Sequence, residues 1–398
     1  MEERDPSGVV LLTPASLPAY LAERAATVGQ FGQAARLAAE PITGGNLNFA
    51  WKVEEVGTGK CVFVKQAPCF VAFLGKGGMP LTESRMALEV AVFREWEALL
   101  GPAAAARFLP KLFFFDDINM VFVMEYLGAC TLMDREMMAT GLIEPAVACG
   151  LGDFLGEIHA ATHSALVHAT RAEALASTFE NAPMRNLQLE FVFSKAYEKP
   201  HASLRADPEF KREIEQLKAA YKSTSTEARA LCHGDLHPGS VMIGASGTVK
   251  IIDPEFVIYG PPGLDVGSLF SGFVLSAVHH TFAQTADSEA VVRSLRSSAS
   301  LLWDTYAGRL LARGLGEGEI AAIGIDAVGF AVAEVARTAL GFAGGREWLS
   351  FPDPSVMAQA VAAALAIVNR CMTGRHEAGV AALWAELEAL PALVSSQS

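Results

Sequence analysis

The chain has 398 residues, 51% of them hydrophobic and 19% charged, enough to bury more than one core, which predicts two or three compact units and excludes a disordered polymer. Its formal net charge of −13 excludes nucleic acid and an anionic membrane surface as partners, so any anionic ligand must be held by local positive groups. The first residues are charged and lack a basic leader with an apolar stretch, and apolar runs such as 361–368 fall short of the ~20 residues a bilayer span requires, so a cytoplasmic chain with no membrane partner is expected. The six cysteines are scattered without a Cys-x-x-Cys pair and read as reduced, mostly buried thiols.

In chain order, the first 40 residues carry no usable motif. Gly44-Gly45-Asn46-Leu47-Asn48-Phe49 is a glycine-containing turn entering a strand, where backbone N–H groups can approach phosphate oxygens; a plain hairpin turn explains the same residues. Segments 49–56, 61–66, 112–115 and 120–126 are β-branched and aromatic and read as strands of one sheet. Lys65 lies in the second of these; facing inward it needs a phosphate or a carboxylate, while strand alternation equally allows it to face solvent. The spacing of Met86, Val90, Phe93 and Ala98 predicts an amphipathic helix over 82–100 with Thr82 as its N-cap, and Glu89 on that helix is the chosen partner of Lys65. A boundary is expected near 125–128. Helical periodicity then dominates, in Val147, Leu151, Phe154, Leu155 and Ile158 and again over 320–340 and 356–368, interrupted by a hairpin that joins 240–243 to 248–253.

The chemistry concentrates in His233-Gly234-Asp235-Leu236-His237-Pro238-Gly239-Ser240 and, across that hairpin, Asp253-Pro254-Glu255. Phosphoryl transfer needs one carboxylate to orient the attacking hydroxyl and accept its proton, and another to hold the Mg²⁺ that neutralises phosphate charge. Asp235 suits the first task and Asp253 the second. Pro254 disfavours a helical Asp253, and in extended chain Asp253 and Glu255 would face one point, where a divalent cation relieves their repulsion. Two solvated acids in a turn is the alternative. His237 and the pair His279-His280 lack metal-ligand spacing.

The succession of glycine turn, strand lysine, helix glutamate, His-Gly-Asp loop and post-hairpin aspartate resembles the aminoglycoside phosphotransferase-like kinases. Within them it resembles the methylthioribose kinase family, on Gly45-Asn46-Leu47-Asn48-Phe49, the His233 to Ser240 loop, Asp253-Pro254-Glu255, Tyr259-Gly260-Pro261 and Gly263-Leu264-Asp265. Ser240 stands where other relatives of the fold place a metal-binding Asn, and Glu255 can supply the missing oxygen.

The resemblance extends over about residues 41–341 and implies an α+β, bilobal protein-kinase-like fold. A small antiparallel-sheet N-lobe, 1–126, would bind nucleotide, and a larger, mainly helical C-lobe, 127–398, would carry catalysis and the substrate. It implies ATP and Mg²⁺ as cofactors, and a nucleotide site of Gly44, Gly45, Asn46, Asn48, Lys65, Glu89 and the connection Glu125, Tyr126 and Leu127. Asp253 and Glu255 are the implied metal ligands and Asp235 the catalytic and acceptor-binding residue, with Asp265 and His233 bracing its loop. The implied acceptor is the sugar S-methyl-5-thioribose, phosphorylated at its anomeric hydroxyl in methionine salvage by a homodimer. Ala336-Arg337 departs from the family's two consecutive arginines, leaving Arg337 for substrate. That departure keeps open an aminoglycoside, choline or homoserine-type acceptor. A catalytically silent nucleotide-binding protein is the reading from another class.

Overall fold

The computed structural model describes residues 3–32, 35–45 and 47–395. It divides into two compact units: Met1–Ala129 together with Ile251–Glu255, and Cys130–Lys250 together with Phe256–Ser398.

In the first unit, β1 (Leu37–Pro41), β2 (Phe49–Glu55), β3 (Cys61–Gln66), β4 (Leu112–Asp116) and β5 (Val121–Glu125) form an antiparallel sheet in the order β1-β2-β3-β5-β4. Period-two alternation assigns its two faces. Trp51, Val53, Val62, Val64, Val121 and Val123 pack with Leu17, Tyr20 and Leu21 of the helix Leu17–Glu23. Phe63, Phe122 and Met124 pack on the other face with Met86 and Val90. Lys65, alternating with Val62 and Val64, therefore shares the face of the helix Arg85–Phe108. The motif-free N-terminus supplies one core layer, and its Tyr20 hydroxyl donates to Asp116 at 2.7 Å.

The helix expected from Thr82 starts at Arg85. Thr82 caps the preceding turn instead, accepting the Ser84 N–H at 3.3 Å, because Arg85 is fully buried and donates to the carbonyls of Leu47 and Pro68 at 2.8 and 3.0 Å. The expected end at residue 100 coincides with a break at Gly101, φ 71°, followed by Pro102, after which the helix resumes to Phe108. Ala98 is exposed, and Trp96 fills the buried face in its place.

The second unit is helical around Gly263–Phe282, which lies almost wholly buried against Glu317–Ala339, Ser288–Ala312 and Pro354–Ala378. Gly267 permits the close crossing: a Cβ there would stand 2.5 Å from the Ala327 carbonyl oxygen. Pro354–Ala378 runs well beyond the expected apolar segment and is long and apolar enough by composition to span a bilayer; its Leu365, Ile367, Val368 and Met372 are buried within the unit. The hairpin Val241–Gly244 and Thr248–Ile251 turns through Ser246 and Gly247, both at positive φ. Beside it, Ala230–Cys232 pairs antiparallel with Ile258–Gly260 and delivers the chain into the His233 loop.

Candidate active site

In the first unit, Lys65 Nζ donates to Glu89 Oε1 and Oε2 at 2.9 and 2.8 Å and is also paired with Asp253. Asn48 Nδ2 donates to Glu255 Oε2 at 2.6 Å, while Arg85 Nε donates to Asn48 Oδ1 at 3.0 Å and stands 3.6 Å from Glu255 Oε2. Lys65, Arg85, Glu89 and Glu255 are buried; Asp253 is the solvent-facing member.

Carboxylate oxygens of Glu89, Asp253 and Glu255 lie within 4.8 Å of one another, with the cations of Lys65 and Arg85 beside them. Burial, opposed by Lys65 and reinforced by Asp253, pushes Glu89 up to about 8, and Glu255 is raised from the same causes. Burial disfavours the Lys65 ammonium, but Asp253 and Glu89 outweigh it and hold Lys65 charged. Crowded hard oxygens are the donor set a divalent cation such as Mg²⁺ prefers, and Asp253 and Glu255 are the residues that could hold one here.

Asp253 does not adopt the expected extended backbone. Its φ is +64°, a conformation aspartate tolerates because its short side chain clashes little, so the carboxylates converge through a turn and not through strand alternation. Gly44, φ +122°, and Gly45 are exposed, and an added Cβ at either would meet open space. Asn46 lies outside the described residues. Glu125 ends β5 opposite Val62, its N–H donating to the Lys111 carbonyl at 2.8 Å, and Tyr126 and Leu127 follow half-buried.

In the second unit, buried Asp265 accepts the backbone N–H groups of His233 and Gly234 at 2.7 and 2.9 Å and lies 3.3 Å from His159 Nε2. Asp265, His159 and Cys232 cluster closely enough to suggest a metal. The Asp265 oxygens, however, are taken by these donors and His159 Nδ1 meets the Tyr306 hydroxyl at 3.0 Å, so the group is a brace. Gly234 has φ +91° and passes so near residue 256 that a Cβ would come within 1.9 Å of the Phe256 carbonyl oxygen; Gln188 fixes its own carbonyl at 2.7 Å. The loop thereby presents Asp235, whose Oδ1 is buried without a hydrogen-bond partner. Ser240 Oγ donates to the Asp235 backbone oxygen at 3.0 Å. His237 Nδ1 accepts the Gly239 N–H at 2.9 Å, and burial, with the Arg346 charge second, keeps that imidazole neutral.

Arg337 turns to Glu334, with 3.2 Å from Nη1 to each carboxylate oxygen, and donates from Nε to the Phe342 carbonyl at 3.2 Å. The guanidinium that faces Asp235 is that of Arg346, which the sequence reading did not single out. Arg85, Gln188, His159 and Glu334 were missed as well. Arg346 follows Gly344-Gly345 in a loop, where no periodicity marks it; the buried ends of Arg85 and Glu334 are charges on otherwise apolar helix faces, the one readable signal of partnered charge.

The profile of the APH phosphotransferase enzyme family matches residues 39–308. The chain belongs to that phosphotransferase family. Among curated relatives it is 29% identical over 335 residues to a methylthioribose kinase of Geobacillus sp. (strain WCH70), covering 80% of this chain and 82% of the relative. A methylthioribose kinase of Escherichia coli O45:K1 is 31% identical over 288 residues, 69% of this chain and 67% of the relative. A Plasmodium vivax ethanolamine kinase structure superimposes with a TM-score of 0.50 at 12% identity, covering 91% of this chain and 93% of that one, which shows the fold. The phosphotransferase thus has the α+β protein-kinase-like fold, with an antiparallel sheet followed by a mainly helical remainder, and is an ATP-dependent small-molecule kinase.

Proposed function

We propose that this kinase transfers the γ-phosphoryl group of ATP to the anomeric hydroxyl of S-methyl-5-thioribose, giving ADP and S-methyl-5-thioribose 1-phosphate. The observation that carries the reading is Asp235: a carboxylate on a glycine-dependent loop, with a buried oxygen lacking any hydrogen-bond donor, on a chain whose curated relatives are named methylthioribose kinases. In this reading Asp235 orients the acceptor hydroxyl and takes its proton as the new O–P bond forms and the bond from Pγ to the ADP oxygen breaks. Residues 1–126 serve as the nucleotide lobe and 127–398 as the substrate lobe.

Lys65, positioned by Glu89, meets the ATP phosphates, the turn of Gly44, Gly45, Asn46 and Asn48 covers them, and the backbone of Glu125, Tyr126 and Leu127 receives adenine. Asp253 and Glu255 hold Mg²⁺, which supplies charge neutralisation on the phosphate oxygens. Arg337 lies beside the acceptor. The same relationship extends the proposal to a cytoplasmic homodimer, which light scattering on the purified chain checks.

The test is ADP release with Mg·ATP and each of methylthioribose, ribose, choline, homoserine and kanamycin, with the product identified by phosphorus NMR. A methylthioribose-dependent anomeric phosphate is expected; preference for another acceptor rejects the substrate. Ala336, fully buried where the family pattern has arginine, favours one second reading, a different alcohol acceptor on the same machinery. Asp235→Ala is expected to abolish transfer and leave nucleotide binding within about twofold, whereas full turnover by that variant rejects its role.

A further inference from the structure

Asp235 carries the chemistry in the reading above, on which this inference rests, and its surroundings hold one group that reading does not use. Arg346 Nη2 stands 3.7 Å from Asp235 Oδ1, the buried oxygen without a hydrogen-bond partner. Its other arm is anchored, Nη1 donating to Glu334 Oε2 at 2.9 Å. Glu334 is itself buried on the helix Glu317–Ala339 and takes Arg337 on both oxygens, so the rigid helix holds Arg346 through a charged pair although Arg346 sits in a loop. Arg337 is committed to Glu334 and to the Phe342 carbonyl. Of the other titratable groups around Asp235, Tyr221 and Arg337 feel its charge, His233 Nδ1 accepts its backbone N–H at 3.3 Å, and His237, whose imidazole is neutral, has Nε2 3.8 Å from Oδ2. Among the described residues, the positive charge within 4 Å of the Asp235 carboxylate is therefore that of Arg346.

We propose that Arg346 is the positioning residue of the transfer step: tethered by Glu334, its guanidinium attracts the Asp235 carboxylate from the Oδ1 side and leaves Oδ2 to accept the proton of the acceptor hydroxyl. A planar guanidinium with one arm tied to Glu334 and the other aimed at Asp235 restrains both the rotation and the charge of that carboxylate. An ammonium, which is a compact charge without a fork, does so only in part. The two jobs divide between oxygens. Oδ1 lies on the buried, guanidinium side, and Oδ2 faces a histidine that carries no competing charge.

The test uses the full-length chain with the acceptor that the wild type turns over. Arg346→Ala is expected to lower kcat by about 10- to 100-fold, as expected for losing a charge that orients the catalytic carboxylate, with the KM for ATP changed less than twofold. Arg346→Lys is expected to recover part of the loss. Millimolar guanidinium added to Arg346→Ala is expected to raise kcat several-fold while leaving Asp235→Asn unchanged, a response that a merely structural arginine does not give. Arg346 is partly exposed on a loop, and melting curves of both variants separate folding from catalysis. Arg346→Ala with kcat within twofold of wild type overturns the assignment, as does a loss that Lys and guanidinium both fail to relieve. Wild-type silence with every acceptor sinks both the functional reading and this inference, whereas normal wild-type turnover with an indifferent Arg346→Ala sinks the inference alone.

Discussion

Lys65 is one ammonium against Glu89 and Asp253 in a cluster that also contains Glu255, and its removal tests whether the cluster is built around it. Lys65→Met leaves buried Glu89 without its partner. Breaking a buried pair costs up to about 3–5 kcal/mol, but burial already raises the Glu89 carboxyl, so it can take a proton and soften the loss. The expected destabilisation by urea at pH 7 is therefore about 1–3 kcal/mol, with the KM for ATP raised at least about tenfold, the size of one lost charged hydrogen bond. His163 supplies the pH dependence. It is buried, and desolvation first, with the neighbouring His159 second and Glu319 opposing, lowers it to about 4, while Nδ1 accepts the Ala165 N–H at 3.2 Å. The unfolded chain binds a proton near pH 6.5 and the folded chain does not, so this contribution is complete above pH 6.5 and is lost as pH falls toward 4. The expected loss is about 2–3 kcal/mol between pH 7 and 4, and His163→Asn, which can still accept the Ala165 N–H, is expected to flatten that slope in urea titrations.

At the scale of elements, the His233 loop depends on one glycine more than on its charged residues. Gly234→Ala adds a Cβ that would lie 1.9 Å from the Phe256 carbonyl at a φ of +91°, so residue 256 or the loop must move. Turnover is expected to fall at least 100-fold, about 3 kcal/mol of lost transition-state positioning. Gly44→Ala, at positive φ in open space, pays only the backbone strain of about 1 kcal/mol, and comparing the two in one steady-state assay isolates the contact. Why this loop was legible in the sequence and its surroundings were not follows from the same physics. Strands 49–56, 61–66, 112–115 and 120–126 were readable as β-branched and aromatic runs because both faces of the sheet are packed, and β3 runs over the residues predicted for it. The Asp253 turn was misread because proline restricts its predecessor without forbidding positive φ to an aspartate. The start of Arg85–Phe108 was displaced because tertiary bonds to Arg85 override a cap signal. Arg346 was invisible because loop position carries no period, and only the folded chain brings it to Asp235.

For the whole molecule, with a net charge of −13, the site in the first unit gathers Lys65 and Arg85 beside the carboxylates of Glu89, Asp253 and Glu255. That unit includes Ile251–Glu255, a segment distant in sequence that brings Asp253 and Glu255 beside Lys65. The ATP-dependent kinase should therefore couple nucleotide and divalent cation in its global stability. A ligand that binds only the folded state adds about 2.7 kcal/mol at 100 times its Kd. Mg·ATP is expected to raise the melting temperature by several degrees, ATP with a chelator by much less. Asp253→Ala removes an exposed carboxylate whose partner Lys65 keeps Glu89, so the ligand-free fold should melt within a few degrees of wild type. Its magnesium-dependent increment should vanish, leaving the same small shift with ATP whether or not the metal is present. Scanning calorimetry of both proteins under the three conditions decides it: an undiminished Mg·ATP increment in Asp253→Ala would remove Asp253 from the metal site and leave the raised carboxylates of Glu89 and Glu255 to be explained by burial alone.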